Sequence, residues 1–258
     1  MILTADYHTH TPYSHGKTTI EENVARAKEI GLQQIGITDH GFSHVAFGLH
    51  RNEVPSYKAE CKEAEKKYGI KVLVGIEANI RGIGGESDLT ESDYEDFDLY
   101  LCGNHVCIHF TSFKDTVRYG WRNLLLNSVF HKHTKKQIEC NTKAYVNVIK
   151  NNPIDAITHL NYQCPSNALE VAKCAADYGT YLELDAKKKH LTDDELCEIV
   201  AKTSVRFIVN SDAHWKERIG DTALIAEQLK RIDFPMDRID NIDGRLPTFR
   251  FAEFKKKM

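Results

Sequence analysis

Imidazole and carboxylate side chains recur in this sequence directly after short apolar runs. The residues that share this placement are His8, His10, Asp39, His40, Glu77, His105, His159, Asp212 and His214. Alternate residues of an extended chain project the same way, so His8 and His10 can reach one ion. Glu77 has two oxygens and can bridge a pair of ions, an arrangement that activates water against a phosphorus centre. The pattern predicts a metal cluster of two or three ions.

Each motif also has a structural explanation when it is taken alone. A His-x-His pair is common on exposed loops, Thr-Asp-His can form a turn, and Asp212 can cap a following helix. Glu77 on an apolar strand needs a partner, because an isolated buried carboxylate is costly. The metal interpretation is favoured because all of these motifs stand at successive strand ends, and because imidazole and carboxylate suit zinc, manganese or iron.

Short β-rich runs alternate with segments of helical period, which is typical of successive β/α units. The predicted strands are Ile2–Tyr7, Gln34–Thr38, Lys71–Ile76, Leu99–Gly103, Ala156–Thr158, Thr180–Leu184 and Arg206–Asn210, with Arg238–Ile242 as a weaker eighth. The predicted helices are Ile20–Ile30, Tyr57–Tyr68, Thr134–Asn151, Asn167–Tyr178, Asp193–Lys202 and Thr222–Arg231. No linker composition interrupts the series, so we expect one domain over residues 1–258.

Two architectures fit this order of elements: a closed or nearly closed parallel barrel, and an open doubly wound sheet. Periodicity does not separate them. The polar residues favour the barrel, because its strand ends gather on one face, where such folds build active sites. We therefore expect an α/β fold of the TIM-like barrel type.

Composition narrows the class of protein. Of the 258 residues 41% are hydrophobic and 28% charged, and the formal net charge of -3 offers no broad basic field for long nucleic acid. Seven cysteines without paired spacing fit a reducing compartment. With no apolar run near the ~20 residues of a membrane span and no signal-peptide pattern at the start, we expect a cytoplasmic protein without a membrane partner.

Several longer motifs occur in a fixed order. They are Tyr7-His8-Thr9-His10-Thr11-Pro12-Tyr13-Ser14-His15-Gly16, Thr38-Asp39-His40-Gly41, Gly75-Ile76-Glu77-Ala78-Asn79-Ile80, Gly103-Asn104-His105, Thr158-His159 and Ser211-Asp212-Ala213-His214. This ordered set resembles the PHP (polymerase and histidinol phosphatase) superfamily. It is similar to the small single-domain bacterial members, including the histidinol-phosphatase-like branch.

The resemblance implies a distorted (β/α)7 barrel with a trinuclear site. It implies that His8, His10, Glu77 and Asp212 hold one ion, that His15, His40 and His214 hold a second, and that Glu77, His105 and His159 hold a third. Asp39 would orient an imidazole, a support that metal-bound histidines usually have. His131 or His133 is an alternative to His159. The expected metal is zinc, with manganese or iron as alternatives.

Substrate-binding residues are harder to identify. His44, Arg51 and Arg81 are the candidates, and Arg118, Arg122 and Lys187 are further cations that can meet a phosphate. Gly82-Ile83-Gly84-Gly85 lacks the Gly-Lys-Ser/Thr ending of a phosphate loop and is followed by carboxylates, so we reject that interpretation.

The predicted activity is hydrolysis of a small phosphate monoester by water that metal ions activate, with histidinol phosphate as one substrate. Asp212, His214 and Glu77 are the predicted catalytic residues. The alternatives are a phosphodiesterase or nuclease acting on nucleotides or short oligonucleotides, and a non-catalytic regulatory module stabilised by metal. The sequence leaves the oligomeric state open.

Overall fold

Seven parallel strands in chain order form the centre of the molecule. The structure, a computed structural model, describes residues 1–105, 107–130 and 132–258. Within that part of the chain each strand pairs with the next. The strands are β1 (Ala5–Asp6), β2 (Gln34–Ile37), β3 (Lys71–Asn79), β4 (Leu99–Gly103), β5 (Ala156–Ile157), β6 (Tyr181–Asp185) and β7 (Phe207–Asn210).

The first and last strands approach each other at their carboxyl ends. His10 N donates to Ala213 O at 2.8 Å, and Ala213 N donates to His8 O at 3.2 Å. A little earlier along the strands, Tyr7 N donates to Asn210 Oδ1 at 3.0 Å. These bonds draw the sheet into a nearly closed barrel. The distorted seven-stranded barrel predicted from the sequence is confirmed, and the open sheet is excluded.

The α-helices cover the outside of this barrel. In the described ranges they are α1 (Ile20–Glu29), α2 (Val54–Tyr68), α3 (Phe113–Asp115), α4 (Arg122–Leu125), α5 (Lys135–Asn151), α6 (Ala168–Tyr178), α7 (Asp193–Lys202), α8 (Ala223–Arg231) and α9 (Arg250–Lys255). Capping boxes start α1 at Thr19 and α7 at Thr192, because each threonine hydroxyl and the glutamate three residues later satisfy free backbone amides. No helix of the described residues is both long and apolar enough to cross a bilayer.

The strands place alternate side chains in two separate apolar cores, as the pleat requires. In β4, Tyr100 and Cys102 pack in the large core under the helices, whereas Leu99 and Leu101 belong to a second core. This second core also contains Tyr7 and Phe249, whose rings meet edge to face at 4.9 Å. Strand residues thus fill one part of the barrel interior, and the polar residues at the carboxyl ends occupy another.

Apart from shifts at the ends of several elements and short 3-10 turns, the structure differs from the predicted elements in three places. Arg238–Ile242 is not a strand: a 3-10 turn ends at Arg238, and Ile239 and Ile242 make isolated bridges to Phe207 and Leu3. Helix α9, which is anchored by buried Phe251, was not predicted from the sequence. A helical segment over residues 113–130 was not predicted either; in it, π-helical turns Thr116–Trp121 and Leu126–Phe130 flank α4. That segment leaves much of its apolar surface exposed, so burial periodicity gives a poor signal.

Candidate metal centre

The predicted ligands converge at the carboxyl ends of the strands. Among the described residues, four groups of three have ligand atoms within 4.8 Å of one another: His8, His10 and Asp212; His10, His40 and His214; His40, Glu77 and His105; and His8, Glu77 and His159. His15 stands beside them, with its ring centre 4.2 Å from that of His214 and 4.8 Å from that of His40. Sequence-distant residues at six strand ends therefore form one cluster.

Glu77, in β3, lies at the centre of the cluster and has no solvent exposure. Its Oε1 accepts from the Thr158 hydroxyl at 2.8 Å and lies 2.6 Å from His159 Nε2. Its Oε2 lies 2.7 Å from His40 Nδ1 and 3.4 Å from His8 Nε2, in neither case with hydrogen-bond geometry. The two oxygens of one carboxylate thus face different imidazoles, as a bridging ligand requires.

The electrostatics keep Glu77 ionised. Burial alone would raise the pKa of Glu77, but nearby imidazoles, with His8 the strongest, outweigh burial and hold that pKa well below its usual range. Burial, reinforced by neighbouring histidines, lowers the pKa of His10 well below the ordinary value and that of His15 to about 3. His8 and His159 differ: burial opposes their protonation, yet Glu183 and Glu77 raise the pKa of His8, and Glu77 raises the pKa of His159. Neutral imidazoles beside an ionised carboxylate are the protonation states that metal binding needs.

Two polar residues hold imidazoles in place, and neither was predicted for this role. Glu183 Oε1 lies 2.8 Å from His8 Nδ1, and Asn79 Oδ1 lies 2.7 Å from His105 Nδ1. In both pairs the other ring nitrogen is left for the cluster. The signal for Glu183 was its place in the apolar strand Tyr181–Asp185, because a glutamate there must face a partner inside the barrel.

Asp39 does not have the predicted role. Its carboxylate accepts from Thr11 N at 2.8 Å, from the Thr11 hydroxyl at 2.6 Å and from the Ser14 hydroxyl at 2.5 Å. None of its hydrogen bonds in the described part of the chain goes to an imidazole, so that prediction is wrong. Asp39 instead fixes the loop after β1 that carries His15.

Backbone strain accompanies two of the predicted ligands. His159 has φ 30° and Asp212 has φ 46°, in the region that side-chain-bearing residues rarely adopt. Close packing near His159 also depends on Gly103 at the end of β4. A Cβ there would overlap Thr158 Oγ1 and lie 2.7 Å from His159 Cε1. The small residue lets the Glu77–His159 pair form.

A cavity of about 500 Å³ opens over the cluster. His44, a predicted substrate residue, lines it, and so does Lys187. Arg51 and Arg81 are not among the described residues of its lining. Arg51 pairs with Asp93 and stacks on Phe42, and Arg81 Nε donates to the carbonyl of His109.

His131 and His133 were the predicted alternatives to His159 as a metal ligand. His131 lies outside the described residues. His133 is half-buried and belongs to none of the four ligand groups found among the described residues. His159 stands in the cluster, with its Nε2 at 2.6 Å from Glu77.

Hydrogen bonding leaves the cluster incomplete in a way that suits metal ions. Several buried atoms in it have no hydrogen-bond partner within the described part of the chain: His8 Nε2, His10 Nδ1, His10 Nε2, His40 Nδ1, His159 Nδ1 and Glu77 Oε2. Such atoms are costly to bury unless something else satisfies them. Imidazole and carboxylate donors without thiolates match zinc, manganese or iron at a catalytic site. The residues therefore fit a cluster of divalent ions.

Known proteins share both the sequence and the fold. The family model of the PHP domain matches residues 6–187. A probable phosphatase of Clostridium novyi is 30% identical, covering 98% of this chain and 96% of the relative. A probable phosphatase of Acetivibrio thermocellus is 27% identical, covering 100% of this chain and 97% of the relative.

Among solved structures, the fold is similar to that of a histidinol phosphate phosphatase from Lactococcus lactis complexed with zinc, L-histidinol and phosphate. The TM-score is 0.63 at 18% identity, with 98% of each chain covered. A putative histidinol phosphatase of Listeria monocytogenes gives a TM-score of 0.56 at 14% identity, covering 84% of this chain and 97% of that one. These likenesses support the barrel. The curated relatives confirm the hydrolase class predicted from the sequence. Because the family model spans most of its length, the chain belongs to the PHP domain family.

Proposed function

We propose that this chain is a metal-dependent phosphatase that hydrolyses a small phosphate monoester in the cavity over the histidine cluster. The observation that carries the proposal is the set of buried, unpartnered ligand atoms around Glu77. They lie beneath a cavity whose volume of about 500 Å³ suits a small molecule. L-histidinol phosphate is the first substrate to test, because the Lactococcus relative was solved with L-histidinol and phosphate.

We assign the ligands from the grouping of their atoms. His8, His10 and Asp212 would hold one ion, with Glu77 as a shared ligand. His40 and His214 would hold a second, where His10 completes the tight group and His15 stands at its edge. Glu77 would hold a third with His105 and His159. Zinc suits this set, and two or three ions fit it.

The ions would supply positive charge against the phosphoryl oxygens and lower the pKa of a water molecule at the cluster. The chain's own residues hold this arrangement. Ionised Glu77 joins the imidazole groups. His8 Nδ1–H donates a hydrogen bond to Glu183, so that His8 Nε2 faces the cluster. Asp212 and His214 lie at the cavity edge, where Lys187 Nζ is 2.7 Å from Asp212 Oδ2. This ammonium is placed to stabilise charge that develops on a phosphoryl oxygen.

The test is phosphate release by zinc-loaded protein over a panel of L-histidinol phosphate, aryl phosphates, monoesters that carry a carboxylate or a second phosphate, nucleotides and short diesters. We expect release from one or more monoesters, loss of release on chelation, and loss in Asp212→Asn. The control Asp194→Asn makes the same chemical change at an exposed position of α7 and should keep full activity. Negligible release from every compound at full metal occupancy would refute the proposal. Release from diesters alone would support the nuclease alternative.

A further inference from the structure

The loop after β6 places two lysines and a histidine on the wall of the cavity. Lys187, Lys188 and His190 all line it. Lys187 Nζ lies 2.7 Å from Asp212 Oδ2 and 3.2 Å from His214 Nδ1, at the edge of the proposed metal cluster. Lys188 Nζ lies 6.0 Å from the centre of the Tyr162 ring.

Carboxylates of the same lining are already engaged. Asp185 and Asp212 are the acidic residues of the lining within the described ranges. Asp185 is 5% exposed and accepts from Lys187 N at 2.6 Å and from His190 at 2.9 Å. Asp212 is a proposed metal ligand and pairs with Lys187. Along the described lining, a substrate ammonium group would therefore meet no free carboxylate, whereas an anionic group would meet lysine.

The two lysines stand at different depths. Lys187 touches proposed metal ligands, so it belongs with the phosphoryl group. Lys188 lies further from the cluster. It approaches the ring of Tyr162, and the centre of that ring is 5.2 Å from the centre of the His159 ring. A second group on the substrate, a few bonds from phosphorus, would reach Lys188 while the phosphoryl group is on the metals.

We infer that the substrate is a phosphate monoester with a second anionic group, a carboxylate or another phosphate, that Lys188 binds. The inference rests on the proposed phosphatase function and makes it more specific. The Lys188 ammonium can form charge-assisted hydrogen bonds with such an anionic group. An amino alcohol phosphate carries an ammonium group instead, and this group would face the like charge of Lys188. L-Histidinol phosphate, which carries an amine, is expected to be a poor substrate.

The test is calorimetric binding of two non-hydrolysable probes to zinc-loaded protein. 2-Carboxyethylphosphonate and 2-aminoethylphosphonate share the phosphonate and differ in the sign of the second group. We expect the carboxylate probe to bind about tenfold more tightly, a factor that one charge-assisted contact supplies. Lys188→Met should abolish this preference and Lys188→Glu should reverse it. Lys189→Met, a neighbour that does not line the cavity, should retain it.

Equal binding of both probes, or preference for the amine, would overturn the inference. So would a preference that survives in Lys188→Met. A parallel assay of phosphate release distinguishes a failure of this inference from a failure of the proposed function. Hydrolysis of monoesters without regard to a second charge refutes only the lysine subsite. Preference for the carboxylate probe without hydrolysis of any monoester supports the subsite and refutes the phosphatase activity.

Discussion

Glu183 accepts three buried hydrogen bonds, and its replacement by glutamine removes the charge at nearly constant volume. Oε1 accepts hydrogen bonds from His8 Nδ1 and Asn210 Nδ2, and Oε2 accepts one from His159 N, each at 2.8 Å. Two of these donors belong to proposed metal ligands. Glu183→Gln should therefore weaken metal binding without any change in a residue that touches the metal.

The magnitude follows from how glutamine can sit. If the glutamine carbonyl oxygen takes the Oε1 position, the hydrogen bonds from His8 and Asn210 remain. The glutamine NH2 group then faces the backbone N–H of His159, and two donors meet without an acceptor. With the amide reversed it loses two bonds. At least one buried donor is left unsatisfied, which costs about 1–3 kcal/mol of unfolding free energy. Loss of a partner that orients a metal-bound histidine typically weakens metal affinity roughly 10–100-fold. We expect changes of this size in stability and in zinc affinity.

Zinc affinity is measured by competition with a chromophoric chelator, and unfolding free energy by urea titration of the metal-free protein. Glu198→Gln is the matched control, because Glu198 lies on the surface of α7 in an exposed pair with Lys202 and should change neither quantity measurably. Wild-type zinc affinity in a folded Glu183→Gln protein would show that Glu183 does not support the metal ligands, and our account of the cluster would fail.

Three further predictions concern Gly103, Asp212 and Asp155. Gly103→Ala should reduce zinc content and activity, because the added methyl group overlaps Thr158; normal zinc content in the folded variant would contradict this. Asp212→Asn should lower turnover at least tenfold while the midpoint of thermal unfolding of the metal-free protein changes little, and a comparable loss of both would indicate a structural role. Burial raises the pKa of Asp155 to about 7, whereas an unfolded chain has about 3.9. The folded protein then binds a proton that the unfolded chain releases, so this group's contribution to stability falls by about 4 kcal/mol as pH rises from about 4 to about 7. In urea titrations, the unfolding free energy of wild type minus that of Asp155→Asn should fall over that range. A rise in this quantity would show that the carboxylate is ionised in the folded protein.

Local sequence was enough for most of the regular elements. β4 and α7 have the predicted bounds, because an apolar run between turn residues and a Thr-Asp-Asp-Glu start each determine their own limits. The segment over residues 113–130 and the false strand at Arg238–Ile242 show where this fails. An exposed apolar helix and a segment held by isolated bridges depend on neighbours that local periodicity does not report.

The chemistry of the centre was also readable, because ligand residues at the ends of parallel strands must meet once the strands form a barrel. Their roles were not. Asp39 was predicted to orient an imidazole and fixes the loop after β1 instead, while Glu183 and Asn79 hold the imidazoles. These roles depend on side-chain directions across strands that are far apart in sequence.

The sequence alone determined which residue types stand at the strand ends, and hence the metal-binding character and the barrel that gathers them. Those features follow from short-range patterns repeated in order along the chain. Only the tertiary structure decided which ligand atoms share a group, how Glu77 faces several imidazoles, and that Lys187 and Lys188 rather than Arg51 or Arg81 line the cavity. Such choices turn on distances of a few ångströms between loops, and those distances depend on the packing of the whole barrel.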